Sequence, residues 1–133
     1  MKARDVMDKR ITAATPRAIG RDLAQQMLSA MSSGLPVVDA NNHIIGVVTE
    51  FDLLKAITDG KDLQTVKAAE IMSRPVICVE EDDEIEMVIA KMTTHNIIQI
   101  PVVRDDKLVG LISRADILSR MIEPEFVTLF DGK

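Results

Sequence analysis

A hydroxyl and a carboxylate, three residues apart, occur twice in this sequence in the same local context. Thr49 and Asp52 form the first copy and Ser113 and Asp116 the second, each after a glycine and two apolar residues. A Ser/Thr-x-x-Asp pattern before an apolar run is typical of a capping box, in which both side chains accept bonds from backbone N–H groups at a helix start. The same groups at a helix N-terminus can receive a phosphate and sugar hydroxyls. One copy alone favours a cap, whereas two copies raise the alternative of two polar binding sites.

The whole chain is a duplication. Met7 matches Met72 at an offset of 65 (72 − 7), and Gly46 matches Gly110 at an offset of 64 (110 − 46). The lost residue falls in a turn between two β-branched runs, at 39–43 in the first copy and at 104–107 in the second. Such runs separated by Asn and Asp predict a β-hairpin in each copy.

Helical patterns lie on both sides of each hairpin. Apolar residues recur at spacings of three and four ahead of the hairpin, as Leu23, Met27, Ala30 and Met31 in the first copy and as Ile85, Val88, Ile89 and Met92 in the second. A shorter apolar helix follows each motif. The first copy departs from the pattern at 11–20, where a glycine stands at the predicted helix start.

These elements predict a mixed α/β (α+β) fold of two repeats, at 1–60 and 61–122, followed by a C-terminal tail at 123–133. A unit of about 60 residues is marginal alone, so we expect the repeats to pack on each other with pseudo-two-fold symmetry. The tail holds two of the three aromatic residues, Phe126 and Phe130. It is a candidate for docking on a partner subunit.

Composition excludes several classes of protein. A formal charge of −5, with no Trp or Tyr, argues against binding to nucleic acid. One cysteine and two histidines leave no internal disulfide and no zinc-type cluster. The charged N-terminus does not resemble a signal peptide, and no apolar stretch is long enough for a membrane span. We therefore expect a cytoplasmic protein.

The order of these elements resembles a known family. Asp-Val-Met or Glu-Ile-Met, a helix, Leu-Pro-Val-Val-Asp or Ile-Pro-Val-Val-Arg, and then Gly-x-x-Ser/Thr-x-x-Asp occur in both halves, at about 3–122. This arrangement is similar to two cystathionine-β-synthase (CBS) domains in tandem, called a Bateman module. The resemblance implies a β-α-β-β-α unit per repeat and clefts between the two repeats that bind AMP, ADP, ATP or S-adenosylmethionine.

The resemblance also implies roles for individual residues. Asp52 and Asp116 would hold the ribose hydroxyls, and Thr49 and Ser113 would lie near the phosphates. The adenine would sit against the extended piece before the first helix and the start of the proline-containing strand, at Thr12, Ala13, Ala14, Leu35 and Pro36 in one repeat and Val76, Ile77, Cys78, Ile100 and Pro101 in the other. No catalytic residue or metal ligand is implied.

The two motifs differ in the residue after the hydroxyl. Arg114 could pair with a phosphate, whereas its counterpart Glu50 would repel one. Charges at an exposed helix start are usually solvated, so the pairing is an alternative to plain exposure. If one site takes a polyphosphate, we expect it to be the second.

The sequence therefore predicts a regulatory module that binds adenosine-containing ligands, needs no obligatory cofactor and forms a homodimer, as the resemblance implies. A ligand-independent dimerisation or scaffold module, in which both motifs are only caps, is the main alternative. A small enzyme using Asp52 or Asp116 as a general base is a weaker one, because the sequence shows no nucleophile or metal cluster.

Overall fold

A computed structural model describes the backbone of residues 1–130 and the side chains of residues 1–122. The mixed helix and strand content predicted from the sequence is confirmed. The elements in chain order are α1 (Ala3–Val6), α2 (Gly20–Ala30), β1 (Gly34–Val38), β2 (Ile44–Thr49), α3 (Glu50–Thr58), α4 (Ala68–Ile71), β3 (Val79–Glu80), α5 (Ile85–Thr94), β4 (Gln99–Arg104), β5 (Lys107–Ser113) and α6 (Arg114–Phe130). The backbone of α6 continues beyond residue 122, where the predicted second repeat ends. The side chains of the predicted tail lie outside the described residues.

The chain divides into two compact units. The first-repeat unit contains residues 11–77 together with 105–108, and the second-repeat unit contains residues 1–10, 78–104 and 109 onward. Each unit therefore combines the helices and hairpin of one repeat with the opening segment of the other. The predicted linear boundaries, 1–60 and 61–122, describe the repeats of the sequence and do not coincide with these units.

The first-repeat unit is built on a β-hairpin. Strands β1 and β2 pair antiparallel, and Ala14 extends this small sheet by a parallel bridge to Val37. Helix α2 buries Leu23 and Met27 against the hairpin, as its spacing predicts. Met31 belongs to the predicted apolar stripe, but it is 95% exposed because it ends the helix in the left-handed region at φ 52°.

The second-repeat unit repeats this plan. Its three strands lie in the order β3-β4-β5, with β3 parallel to β4 through the pair Val79 and Val102. Helix α5 starts 65 residues after α2 (85 − 20), which agrees with the offset of the sequence. The core is aliphatic, with fully buried side chains that include Val88, Ile100, Val102 and Ile112.

The opening segments α1 and α4 make equivalent hydrogen bonds in opposite units. The N–H of Ala3 donates to the carbonyl of Asp83 (2.9 Å), and that of Ala68 donates to the carbonyl of Ala18 (2.8 Å). Both acceptors lie just before a long helix, and they are 65 residues apart (83 − 18). The opening of each repeat therefore packs beside the long helix of the other repeat.

This packing of each opening segment against the other repeat also explains why each motif contains a glycine. A β-carbon added to Gly46 would lie 2.4 Å from the sulfur of Met72, and one added to Gly110 would lie 2.5 Å from the sulfur of Met7. Each opening methionine thus occupies the space beside the motif glycine of the other repeat. Any side chain there would displace the methionine.

The irregular start of the first long helix has a local cause. The N–H groups of Gly20 and Arg21 donate to the carbonyls of Val66 (2.8 Å) and Leu63 (2.9 Å), in the segment that links the repeats. These carbonyls satisfy N–H groups that a helix start leaves without partners. A β-carbon on Gly20 would lie 2.9 Å from the Leu63 side chain, so the close approach favours glycine.

The hairpin turns differ as the sequence predicts, the second being shorter. Asp105 and Asp106 form a two-residue turn with φ of 53° and 65°, which is the signature of a type I′ turn. In the longer first turn, Oδ1 of Asp39 accepts bonds from the N–H groups of Asn41 and His43, both at 2.9 Å. The first turn therefore combines carboxylate bonds with one left-handed residue, Asn42 at φ 67°, whereas the second is formed by two left-handed residues.

Candidate functional site

The first motif lies where strand β2 enters helix α3. The N–H of Thr49 donates to Oδ2 of Asp52 (2.8 Å), and the N–H of Asp52 donates to Oγ1 of Thr49 (3.2 Å). The hydroxyl of Thr49 also donates to the same carboxylate oxygen, at 3.1 Å. These reciprocal bonds form a capping box, as the pattern predicts.

The second motif has the same two reciprocal bonds where β5 enters α6. The N–H of Ser113 donates to Oδ2 of Asp116 (2.8 Å), and the N–H of Asp116 donates to the Ser113 hydroxyl (3.0 Å). Both aspartates are partly buried, as are Thr49 and Ser113. The two sites are therefore built alike from local sequence, since each box needs only residues three apart.

Capping leaves half of each carboxylate for other partners. The bonds above use Oδ2 of Asp52 and of Asp116, and within residues 1–122 no donor bonds to Oδ1 of either side chain. An ionised carboxylate oxygen accepts hydrogen bonds and donates none. Each motif thus presents a partly buried acceptor one turn inside a helix N-terminus, which suits a sugar hydroxyl.

The charged neighbours of the motifs have different surroundings. The guanidinium of Arg114 donates to the carbonyl of Ile97 (3.2 Å) and to Oδ1 of Asn96 (3.1 Å), at the turn after α5. The side chain of Glu50 is exposed. The phosphate role of Arg114 stays a prediction, and a bound phosphate would compete with two acceptors that already hold the guanidinium.

The predicted adenine-pocket residues fall into two groups. The buried ones belong to the apolar interior: Ala14, Leu35, Pro36, Ile100 and Pro101. The others have solvent-accessible surface and lie in the extended segments before the long helices: Thr12, Ala13, Val76, Ile77 and Cys78. The structure therefore buries the first group in the core and leaves the second group partly accessible, and the adenine role of both groups stays a prediction.

Sequence reasoning missed two features of these extended segments. In the second-repeat unit, the ammonium of Lys91 on α5 donates to the carbonyl of Cys78, at 3.0 Å. In the first-repeat unit, an open cavity of about 600 Å³ is lined by Thr12 of the extended segment and by five residues of α2: Asp22, Gln25, Gln26, Ser29 and Ala30. The 65-residue offset could have found the match between Lys91 and Gln26, because it relates these two positions directly.

The described residues contain no group of three or more His, Cys, Asp and Glu side chains placed to hold a metal ion. Among their helices, none combines the length and the apolar character that a membrane crossing requires.

Two curated relatives cover nearly all of this chain. An uncharacterized protein of Methanopyrus kandleri is 32% identical over 129 residues, which are 96% of this chain and 65% of that protein. The inosine-5′-monophosphate dehydrogenase of Methanocaldococcus jannaschii is 33% identical over 125 residues, 93% of this chain and 24% of that enzyme. The chain thus spans less than two thirds of either relative.

A solved structure and a family model match this chain over nearly its whole length. A solved CBS domain pair in complex with 5′-methylthioadenosine and S-adenosyl-L-methionine has a TM-score of 0.82 and 29% identity, and covers 94% of this chain and 98% of that one. The CBS domain family model matches residues 3–59 and again 68–123. The duplicated motif, the fold and both matches identify this chain as a member of the CBS domain family that carries two CBS domains in tandem.

Proposed function

We propose that this chain is a regulatory module that binds adenosine-containing ligands, such as AMP, ADP, ATP or S-adenosylmethionine, at its two motifs. The observation that carries the proposal is the divided role of Asp52 and Asp116, whose Oδ2 atoms cap a helix while their Oδ1 atoms stay available. Each Oδ1 would accept a bond from a ribose hydroxyl. Thr49 and Ser113 would place the phosphate or its equivalent beside the helix N-terminus, where the dipole favours negative charge.

The related structure adds chemical support. That CBS domain pair holds two adenosyl ligands, one a sulfonium cation and one a neutral thioether, and neither bears a phosphate. Adenosine is common to both, so the ribose carboxylates are expected to matter more than the phosphate contacts. The proposal assigns no catalytic residue to the chain, and binding would act by favouring the conformation that holds the ligand better.

Thermal unfolding with each ligand tests the proposal. A ligand at 100 times its dissociation constant should add about 2.7 kcal/mol to the free energy of unfolding. Asp116→Asn is a sharp variant, because the amide oxygen can still accept the capping bond while its NH₂ group cannot accept from ribose. Ser113→Ala is the matched comparison, which removes part of the cap and one proposed phosphate contact but keeps the carboxylate. We expect the ligand-induced shift to fall further in Asp116→Asn than in Ser113→Ala.

The alternative, a ligand-independent dimerisation or scaffold module, has its own support. The capping boxes account for both motifs without any ligand, since each hydroxyl and carboxylate already has a structural role. This alternative predicts no thermal shift with any adenosine compound. It also predicts that Asp116→Asn and Ser113→Ala change stability but not ligand response.

We further propose that the chain acts in the cytoplasm as a homodimer. Helices α3 and α6 expose matching apolar residues 64 positions apart, Leu54 with Leu118 and Ile57 with Met121, and each of these side chains is about half exposed or more. A second copy of the chain would cover such stripes. Sedimentation of wild type and of Leu54→Glu/Leu118→Glu tests this, with a dimer expected only for wild type.

A further inference from the structure

We propose that Lys91 is a positioning residue for the second adenosine site, because its ammonium fixes the backbone against which the adenine would lie. This inference rests on the proposed function. The bond from Nζ of Lys91 to the carbonyl of Cys78, at 3.0 Å, joins helix α5 to the extended segment just before β3. Both residues are partly buried, so the bond is shielded from some of the competing water.

The register of the sheet places this bond beside the predicted adenine pocket. Val79 pairs with Val102 in the parallel ladder, so Cys78 lies level with Pro101 on the neighbouring strand. Cys78 and Pro101 are both predicted pocket residues, and Pro101 is buried. Lys91 therefore ties the backbone at Cys78 to helix α5, next to a buried residue of the same predicted pocket.

The first repeat lacks this bond at the matching position. Gln26 corresponds to Lys91 and Ala13 to Cys78, both at an offset of 65 (91 − 26 and 78 − 13). Oε1 of Gln26 is buried and has no hydrogen-bond partner among the described residues. Gln26 and Thr12, the chain neighbour of Ala13, line the same open cavity.

This difference predicts unequal sites for a reason other than phosphate charge. A segment already held in its bound position loses less freedom when a ligand arrives, which raises affinity. The second site should therefore bind the adenine part more tightly than the first. The ribose part should be bound alike, because the two capping boxes share their reciprocal backbone bonds and use the same carboxylate oxygen.

Calorimetric titration with AMP and with ribose 5-phosphate distinguishes binding of the adenine part of the ligand from binding of its ribose part. The Asp52→Asn background restricts the measurement to the second site. There we expect Lys91→Met to weaken AMP binding by about tenfold, the order expected from losing one charge-assisted hydrogen bond, and to leave ribose 5-phosphate binding unchanged. Lys91→Arg, which can donate to the same carbonyl, should restore AMP affinity.

The reciprocal variant tests the first repeat. In the Asp116→Asn background, Gln26→Lys should strengthen AMP binding, since the new ammonium could reach the carbonyl of Ala13. Equal weakening of both probes by Lys91→Met would show a general structural role and overturn the inference. So would AMP affinities that neither Lys91→Met nor Gln26→Lys changes. If the parent proteins bind neither probe, the proposed function fails and the inference fails with it.

Discussion

The two repeats share their backbone bonds but differ in the side chains that hold their loops. Lys91 joins α5 to the segment at Cys78, whereas its counterpart Gln26 has a buried oxygen without a partner among the described residues. Arg114 bonds to Asn96, whereas the corresponding residues of the first repeat are Glu50 and Met31. The two sites thus share their backbone bonds but differ in the side-chain bonds around them. Similar motifs therefore need not bind a ligand with equal affinity.

The largest expected effect comes from the contact that both repeats share. Gly46→Ala and Gly110→Ala should each lower the free energy of unfolding by about 1–3 kcal/mol, because each new methyl group would clash with a methionine. Urea denaturation measures both changes. We expect similar losses in the two repeats.

Double-mutant cycles test the exchange of opening segments. Gly110→Ala should couple to Met7→Ala, since Met7 is the side chain displaced, and should be nearly additive with Met72→Ala. The reverse pattern, with coupling to Met72 and additivity with Met7, would contradict the packing described above.

Helix caps give the next largest effect. Thr49→Ala and Ser113→Ala should each cost about 1 kcal/mol, because each removes the acceptor for the aspartate N–H at a helix start. Equilibrium unfolding in urea reports the losses. Since both capping boxes share the same reciprocal backbone bonds, a loss confined to one repeat would show that the two junctions are not equivalent.

A left-handed residue follows each long helix, and in the first repeat replacing it should raise stability. Met31 and Asn96 occupy matching positions at φ of 52° and 51°, and asparagine adopts this left-handed conformation more readily than methionine. Met31→Asn should therefore raise the free energy of unfolding by about 0.5–1 kcal/mol. A thermal melt checks this, and Asn96→Met should show the opposite sign. Two changes of the same sign would overturn the explanation.

The smallest effect concerns the first hairpin turn. The N–H groups of His43 and then Asn41 lower the pKa of Asp39 from its ordinary value of 3.8. A lowered folded-state pKa contributes stability above the unfolded pKa, and this contribution is lost as the pH falls through the folded value. Asp39→Asn keeps an acceptor but does not titrate. Urea unfolding should therefore show a smaller wild-type advantage at about pH 3 than at about pH 7. An advantage that does not change with pH would contradict this role of the carboxylate.

Much of the fold could be predicted because it depends on residues that are close together in the sequence and on the repeat. The capping boxes need residues three apart, and the 65-residue offset located both long helices and the shorter second turn. The packing of α1 in the second-repeat unit and of α4 in the first could not be predicted. The two repeats have similar sequences, so the pattern does not show which copy an opening segment contacts. Nor could the contact of Arg114 with Asn96, which depends on a left-handed residue at the end of α5. Met31 shows a related limit, since its apolar spacing continues beyond the residue where the helix ends.

Stoichiometry of AMP binding, measured by calorimetric titration of four matched proteins, tests the central claim most directly. The claim is that Asp52 and Asp116 each hold one adenosine-containing ligand while capping a helix. Wild type should bind two AMP molecules per chain, Asp52→Asn and Asp116→Asn one each, and the double variant none. Because asparagine can keep the capping bond, all four proteins should stay folded, as their thermal melts would confirm. A double variant that binds AMP as well as wild type does, or a folded wild type that binds none, would contradict the account.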